Sequence, residues 1–195
     1  MSKQFTTDWF SNNISNWDFV LHDYKHQPNL NFLEVGCWEG RATCWLLENI
    51  LTDESSKITV VDTFGGSPEE DGMNGLDFEN VYSRFKHNIK EYSDKVTIHN
   101  GYSNHMLKQL GNDPLYDFAY IDASHTAYGT LEDAVLTHPL IKKGGVIIFD
   151  DYKWKDPNRP SITDSPELGI NCFVNAYADF YDVIFVGYQV GLRKK

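Results

Sequence analysis

The sequence predicts one α/β domain built on a mostly parallel sheet of seven strands that ends in an antiparallel hairpin, and three observations carry that expectation. Short apolar runs recur along the chain and alternate with stretches whose apolar residues fall at helical spacing, the pattern of right-handed crossovers between parallel strands. The last two runs are separated only by Gly187-Tyr188, too short for a crossover, so they pair antiparallel at one sheet edge. The chain has 195 residues with no repeat, low-complexity tract or interdomain linker, enough for one substantial core.

Residues 8–24 open with Asp8 as a helix cap, and Phe10, Ile14, Trp17 and Leu21 mark one apolar face. That helix reads either as a cover over the sheet or as a lid over a substrate. Phe32-Leu33-Glu34-Val35 is the first strand, breaking into the loop Gly36-Cys37-Trp38-Glu39-Gly40. Ala42 to Leu51 follows as the first crossover helix, burying Trp45, Leu46, Ile50 and Leu51. Ile58 to Val61 is the second strand and ends on Asp62. Gly65 to Gly72 is an acidic, turn-rich loop, after which Phe78, Val81, Tyr82, Phe85 and Ile89 lie at helical spacing. Val96 to His99 forms the third strand, ending at Gly101-Tyr102-Ser103, and Phe118 to Ile121 the fourth, ending at Asp122. Val146 to Phe149 is the fifth and runs into Asp150-Asp151. An irregular loop, Trp154 to Pro160, borders the expected site, and Val183–Val186 with Gln189–Arg193 form the hairpin. The expected organisation is an N-terminal helical cap (1–30), a cofactor-binding core (31–152) and a rim loop, helix and hairpin (153–195).

Composition narrows the function classes. A formal net charge of −11, with no basic block beyond Leu192-Arg193-Lys194-Lys195, repels phosphate backbones and argues against nucleic acid as substrate. Three cysteines, Cys37, Cys44 and Cys172, lack metal-ligand spacing and suit reduced thiols in a cytoplasm. No apolar run is long enough to span a bilayer, so the expectation is a soluble cytoplasmic protein without a membrane partner. Oligomeric state leaves no trace in the sequence.

Four strands end in acid, namely Glu34, Asp62, Asp122 and Asp150 with Asp151. In a parallel sheet these tips share the edge where ligands bind. Any single Asp there could cap a helix, but four converging tips are costly unless a cation sits among them. The glycine pattern is not Gly-x-Gly-x-x-Gly, and Gly36-Cys37-Trp38 places a bulky side chain where a pyrophosphate would approach. That weakens a dehydrogenase reading. Asp62 lies twenty-two residues past Gly40, a spacing that suits a carboxylate on ribose hydroxyls. These features point to S-adenosylmethionine, whose sulfonium is one cation such a cleft would welcome; a divalent metal is another.

Glu34-Val35-Gly36-Cys37-Trp38-Glu39-Gly40 resembles the first motif of class I S-adenosylmethionine-dependent methyltransferases. It is most similar to metal-dependent O-methyltransferases of the catechol and caffeoyl-CoA type and to macrolide-sugar O-methyltransferases. The resemblance runs from about Phe32 to Tyr152 and implies a Rossmann-like methyltransferase fold. It implies a cofactor site of Glu34, Gly36, Trp38, Gly40, Thr43, Asp62, Thr63, Phe64, Gly101, Tyr102, Ser103 and Asp122. Within it the first-motif acid and glycines hold the methionine end, Trp38 packs beside the cofactor, and Asp62 takes the ribose. Ile121-Asp122-Ala123-Ser124-His125 and Phe149-Asp150-Asp151-Tyr152 are similar to the family's metal segments, which implies a magnesium-like ion on Asp122, Asp150 and Asp151. One physical objection applies: consecutive strand residues point to opposite faces, so the two acids can share an ion only if the strand has broken there.

The sequence departs from the catechol branch at His125, where that branch has a lysine general base, and at Ala42, where it has a serine. Histidine is suited to the same acid–base work, and contact with the cofactor carboxylate would pass to Thr43 or backbone amides. Lys143 replaces a common proline without consequence. The expected activity is methyl transfer to a hydroxyl of a small-molecule acceptor, with His125 or Asp122 as the catalytic base. A metal-independent methyltransferase and a non-catalytic cofactor-binding module are the alternatives. Trp154 reads equally as a stacking surface for the acceptor or as a packed side chain.

Overall fold

Each apolar run becomes a strand of one seven-stranded sheet with the order β3-β2-β1-β4-β5-β7-β6. The computed structural model describes residues 2–66, 77–156 and 161–195. The expected loops over 65–72 and 154–160 fall partly outside these described residues. β1 (Asn31–Val35) pairs in parallel with both β2 (Lys57–Asp62) and β4 (Tyr116–Ile121), and β3 (Val96–Asn100) and β5 (Ile141–Phe149) extend the parallel sheet on either side. β6 (Tyr181–Val186) and β7 (Val190–Lys194) form the hairpin, with β7 antiparallel to β5 and β6 at the edge. The hairpin and all five parallel strands thus lie where the sequence places them, one to five residues longer at an end except β7, which is shifted by one residue.

Side-chain alternation along the strands builds two cores. Phe32, Phe118, Tyr120, Val146 and Ile148 face α1 (Ile14–Val20), α2 (Arg41–Asn49) and α3 (Val81–Asn88), meeting Trp17, Leu46, Leu47 and Phe85. Leu33, Val35, Ala119, Ile121, Ile147 and Phe149 face α4 (Ser103–Gln109), α5 (Ala127–Thr137) and α6 (Pro166–Ala176), meeting Leu107, Ala134, Ile170 and Phe173. The last three helices are not delimited by the sequence reading.

The helix expected over 8–24 is broken into short turns, a 3-10 turn at Ser11–Asn13, α1, and a second 3-10 turn at His22–Tyr24. Asp8 Oδ1 accepts from the Ser11 amide at 2.9 Å near its start, but the residue at the cap position is Phe10, without a side-chain cap. Phe10, Trp17 and Leu21 are buried on the expected face. So short a helix is held by that burial rather than by propensity.

Chain direction reverses around β1. The order runs from β1 through β2 to β3 on one side, then from β4 to β5 on the other. The reversal leaves a crevice beyond the C-terminal tips, where open α/β sheets bind ligands.

Candidate active site

A cavity of about 790 Å3 opens at that reversal, within the roughly 300–1,000 Å3 usual for small-ligand sites. Its wall includes Glu34, Gly36, Trp38, Asp62, Thr63, Gly101, Tyr102, Ser103, Asp122, His125, Asp150 and Asp151. The acids from four strand tips therefore do converge. Gly40, Thr43 and Phe64 lie behind the wall and support it. Gly40 begins α2 at φ 78°, and a Cβ there would come within 2.7 Å of the Phe85 ring. Thr43 donates its hydroxyl to Glu34 Oε2 at 2.7 Å. Phe64 is buried against Tyr82 and Phe85.

At the β1 end, Gly36 sits at φ 85°, and a Cβ would fall 2.1 Å from the Asp122 carbonyl oxygen. Only glycine allows this approach of the β1 loop to the β4 tip. Asp62 organises the same loop, its Oδ2 accepting from the Cys37 and Trp38 amides at 2.5 and 2.8 Å and its Oδ1 from the Phe64 amide at 2.6 Å. These bonds hold Trp38 at the unusual φ of 50°. Glu34 is fully buried, and its Oε1 has no hydrogen-bond partner among the described residues. Burial pushes its carboxyl up to about 8, with Asp62 adding to the rise and the Thr43 hydroxyl opposing it. A wall carboxylate with an unsatisfied oxygen is a built receptor for a donor, and an ammonium fits best.

At the opposite end, Asp122, His125 and Asp151 bring one ligand atom each within 4.8 Å of one another. His125 Nε2 lies 2.8 Å from Asp151 Oδ2. The Tyr120 hydroxyl donates to Asp122 at 2.9 Å and also to Asp150. It has one proton for two acceptors. Burial, with Asp150 and Asp151 nearby, holds the Asp122 carboxyl well above the usual carboxylate range; Asp150 is raised by burial and by Asp151. Three carboxyls crowd one imidazole there, and a bound cation would relieve their mutual repulsion. Two carboxylates and an imidazole suit a divalent ion such as magnesium or manganese.

The strand has broken before the second acid. β5 ends at Phe149, and Asp151 adopts φ 55°. Asp150 keeps the strand alternation and points toward the α1 face, where its carboxylate is bonded to protein donors. The structure thus gathers Asp122, Asp151 and His125 but leaves Asp150 outside that trio.

Parts supplied from afar complete the wall; the sequence marks Trp154 and the N-terminal helix as candidates but not Phe5, Trp9, Asn12, Asn13 or Tyr188 by residue. The N-terminal segment lines the cavity through Phe5, Trp9, Asn12 and Asn13, so the stretch leading into α1 borders the site while α1 itself covers the sheet. Trp9 packs 5.6 Å from Trp38, which also meets Phe78. Buried Glu39 ties this segment down, accepting from the Thr6 amide and hydroxyl at 2.6 and 2.7 Å and from Arg84 at 2.5 Å. Trp154 packs against His125 at 5.0 Å, and Tyr188 of the hairpin turn also reaches the wall.

Comparison with known proteins agrees with this architecture. The family model described as a methyltransferase domain matches residues 33–152. Uncharacterized protein R132 of Acanthamoeba polyphaga mimivirus is 25% identical over 141 residues, covering 70% of this chain; the chain spans only 59% of that relative's length. Among solved structures, an O-methyltransferase from Bacillus cereus in complex with SAH (S-adenosylhomocysteine) superposes with a TM-score of 0.67 at 20% identity, covering 93% of this chain and 81% of that one. The MycE methyltransferase of the mycinamycin biosynthetic pathway, in complex with Mg and SAH, superposes with a TM-score of 0.64 at 15% identity, covering 96% of this chain and 51% of that one. At these identities the superpositions establish the fold. Among the described residues, no helix is long and apolar enough to cross a membrane.

Proposed function

Because the chain belongs to the methyltransferase-domain family, whose model covers residues 33–152, we propose that it moves a methyl group from S-adenosylmethionine to a hydroxyl of a small-molecule acceptor with the help of a divalent cation. The observation that carries this reading is a single cavity with an unsatisfied buried carboxylate, Glu34, at one end and a histidine paired with an acid, His125–Asp151, at the other. The solved neighbours whose descriptions include SAH or Mg support it.

When bound, S-adenosylmethionine supplies a methyl group on a positively charged sulfur, and a divalent cation lowers the pKa of an acceptor hydroxyl and fixes its direction. Glu34 and the Gly36–Gly40 loop hold the methionine end. Asp62 has about four lone-pair positions, of which three backbone amides use three, leaving one for a ribose hydroxyl. Asp122 and Asp151 hold the cation. His125, its Nε2 2.8 Å from Asp151 Oδ2, takes the hydroxyl proton while Asp151 stabilises the resulting imidazolium. Trp9, Trp154 and Tyr188 offer ring faces for the acceptor. A second reading, favoured by the three-residue clustering, makes His125 a cation ligand; manganese affinity of His125→Ala separates the two.

The test is SAH release across a panel of phenols, catechols and glycosides, run in chelator and again with magnesium or manganese restored. Methylation that depends on the added ion is expected. Full activity in chelator removes the cation, cofactor binding without turnover on any acceptor favours a binding module, and tight NAD binding in place of SAH overturns the reading.

A further inference from the structure

Asp150 is the strand-tip acid that the site does not explain. It is 7% exposed, and protein donors surround it. Its Oδ1 accepts from the Asp151 amide at 2.7 Å, and its Oδ2 accepts from Gln189 Nε2 at 3.0 Å, Asn13 Nδ2 at 3.4 Å and the Tyr120 hydroxyl. Three of these donors crowd Oδ2 while Oδ1 takes one, and Tyr120 shares its single proton with Asp122, so the Oδ2 side is committed to the protein. Gln189 is itself 2% exposed, and its Oε1 accepts from Trp17 Nε1 at 2.9 Å. That bond settles the orientation of the amide: with the oxygen turned to the indole N–H, Nε2 must face Asp150. Trp17 is wholly buried and packs edge-on against Tyr120 at 4.6 Å.

We propose that Gln189 is a positioning residue and Asp150 a positioning acid rather than a cation ligand. Anchored by Trp17, Gln189 fixes Asp150 toward the α1 core. From there Asp150 grips the Asp151 amide in its left-handed turn and aims the Asp151 carboxylate at His125. The catalytic relevance rests on the function proposed above; the hydrogen-bond chain does not. Three segments meet in it, α1, the β5 tip and the hairpin turn, so the site takes its final geometry only with the N-terminal helix docked. Gln189 would act without touching acceptor, cofactor or cation.

The test uses the full chain with Gln189→Met, which keeps the length and removes both polar ends. Trp17→Phe, which removes the indole donor, serves if the first variant fails to fold. The first readout needs no metal: exchange of the Asp151 amide, followed by NMR in the SAH complex, should accelerate about tenfold or more as its acceptor loosens. The second is manganese affinity by titration, which should weaken by about 10–100-fold, the usual effect of losing a partner that orients a ligand. SAH affinity should stay within about twofold, since the cofactor's main contacts lie on the first two strand tips, away from Gln189. In parallel, Asp150→Asn should weaken manganese far less than Asp151→Asn. Equal losses in those two variants make Asp150 a ligand and overturn the proposal, as does an unchanged Asp151 amide in Gln189→Met. A parallel loss of SAH affinity reduces Gln189 to a purely structural role, again against the proposal. If the native protein binds no manganese, the cation of the proposed function fails and the amide readout alone decides.

Discussion

Glu34→Gln isolates a buried cofactor-site carboxyl that burial holds far above the ordinary carboxylate range. Burial pushes Glu34 from 4.5 to about 8, so at pH 7 the neutral acid predominates. The sign of the linkage follows. Between pH 4.5 and 8 the folded state holds a proton that the unfolded state has released, so native stability falls as pH rises through that window. The gap of about three and a half pH units, at about 1.4 kcal/mol each, makes roughly 5 kcal/mol of stability lost by pH 8. Glutamine keeps the shape and the Thr43 contact but cannot ionise. Chemical denaturation at half-unit steps from pH 5 to 8.5 should therefore show the variant gaining on the native protein by about 1.4 kcal/mol per unit above pH 5, levelling near pH 8. Calorimetry with SAH should show the complement. An ammonium beside Glu34 Oε1 needs the ionised acid, so native affinity rises about tenfold per unit up to pH 8, with close to one proton released per ligand at pH 7. The variant binds weakly and without that slope. Parallel stability curves for the two proteins, or a pH-independent native affinity, would refute the assignment of Glu34 as the buried receptor for the amine.

Gly36→Ala should destabilise the fold by several kcal/mol, because its Cβ falls 2.1 Å from the Asp122 carbonyl oxygen at a φ of 85°; urea midpoints check it. Asp62→Ala removes the acceptor for the Cys37, Trp38 and Phe64 amides. It should cost SAH roughly 1.5–3 kcal/mol of affinity by calorimetry and quench or shift Trp38 emission as the loop relaxes. His125→Ala should slow turnover by about 10²–10⁴-fold while SAH affinity holds, with unchanged manganese affinity marking a base and a loss marking a ligand.

The strands were legible because their signal is local. Short apolar runs that stop at an acid need no tertiary context, and β1, β2, β4 and β5 end at or beside the acids that mark them. The convergence of those acids followed from parallel pairing alone. Their roles did not, because a carboxylate's role depends on what donates to it. Asp62 looks in sequence like a ribose ligand, yet its first duty is to three amides of two loops. Asp150 and Asp151 look like a pair, yet pleating sends one to the α1 core and a single left-handed residue sends the other to His125. The donors that enforce this split come from Asn13, Tyr120 and Gln189, and the Gln189 bond to Trp17 spans 172 positions. No window of sequence contains that information. Such long-range polar contacts are costly to leave unmade once buried, so the packing of α1 and the hairpin against the sheet and the aim of the acids are one event: the apolar face that docks Trp17 also delivers the indole donor that orients Gln189.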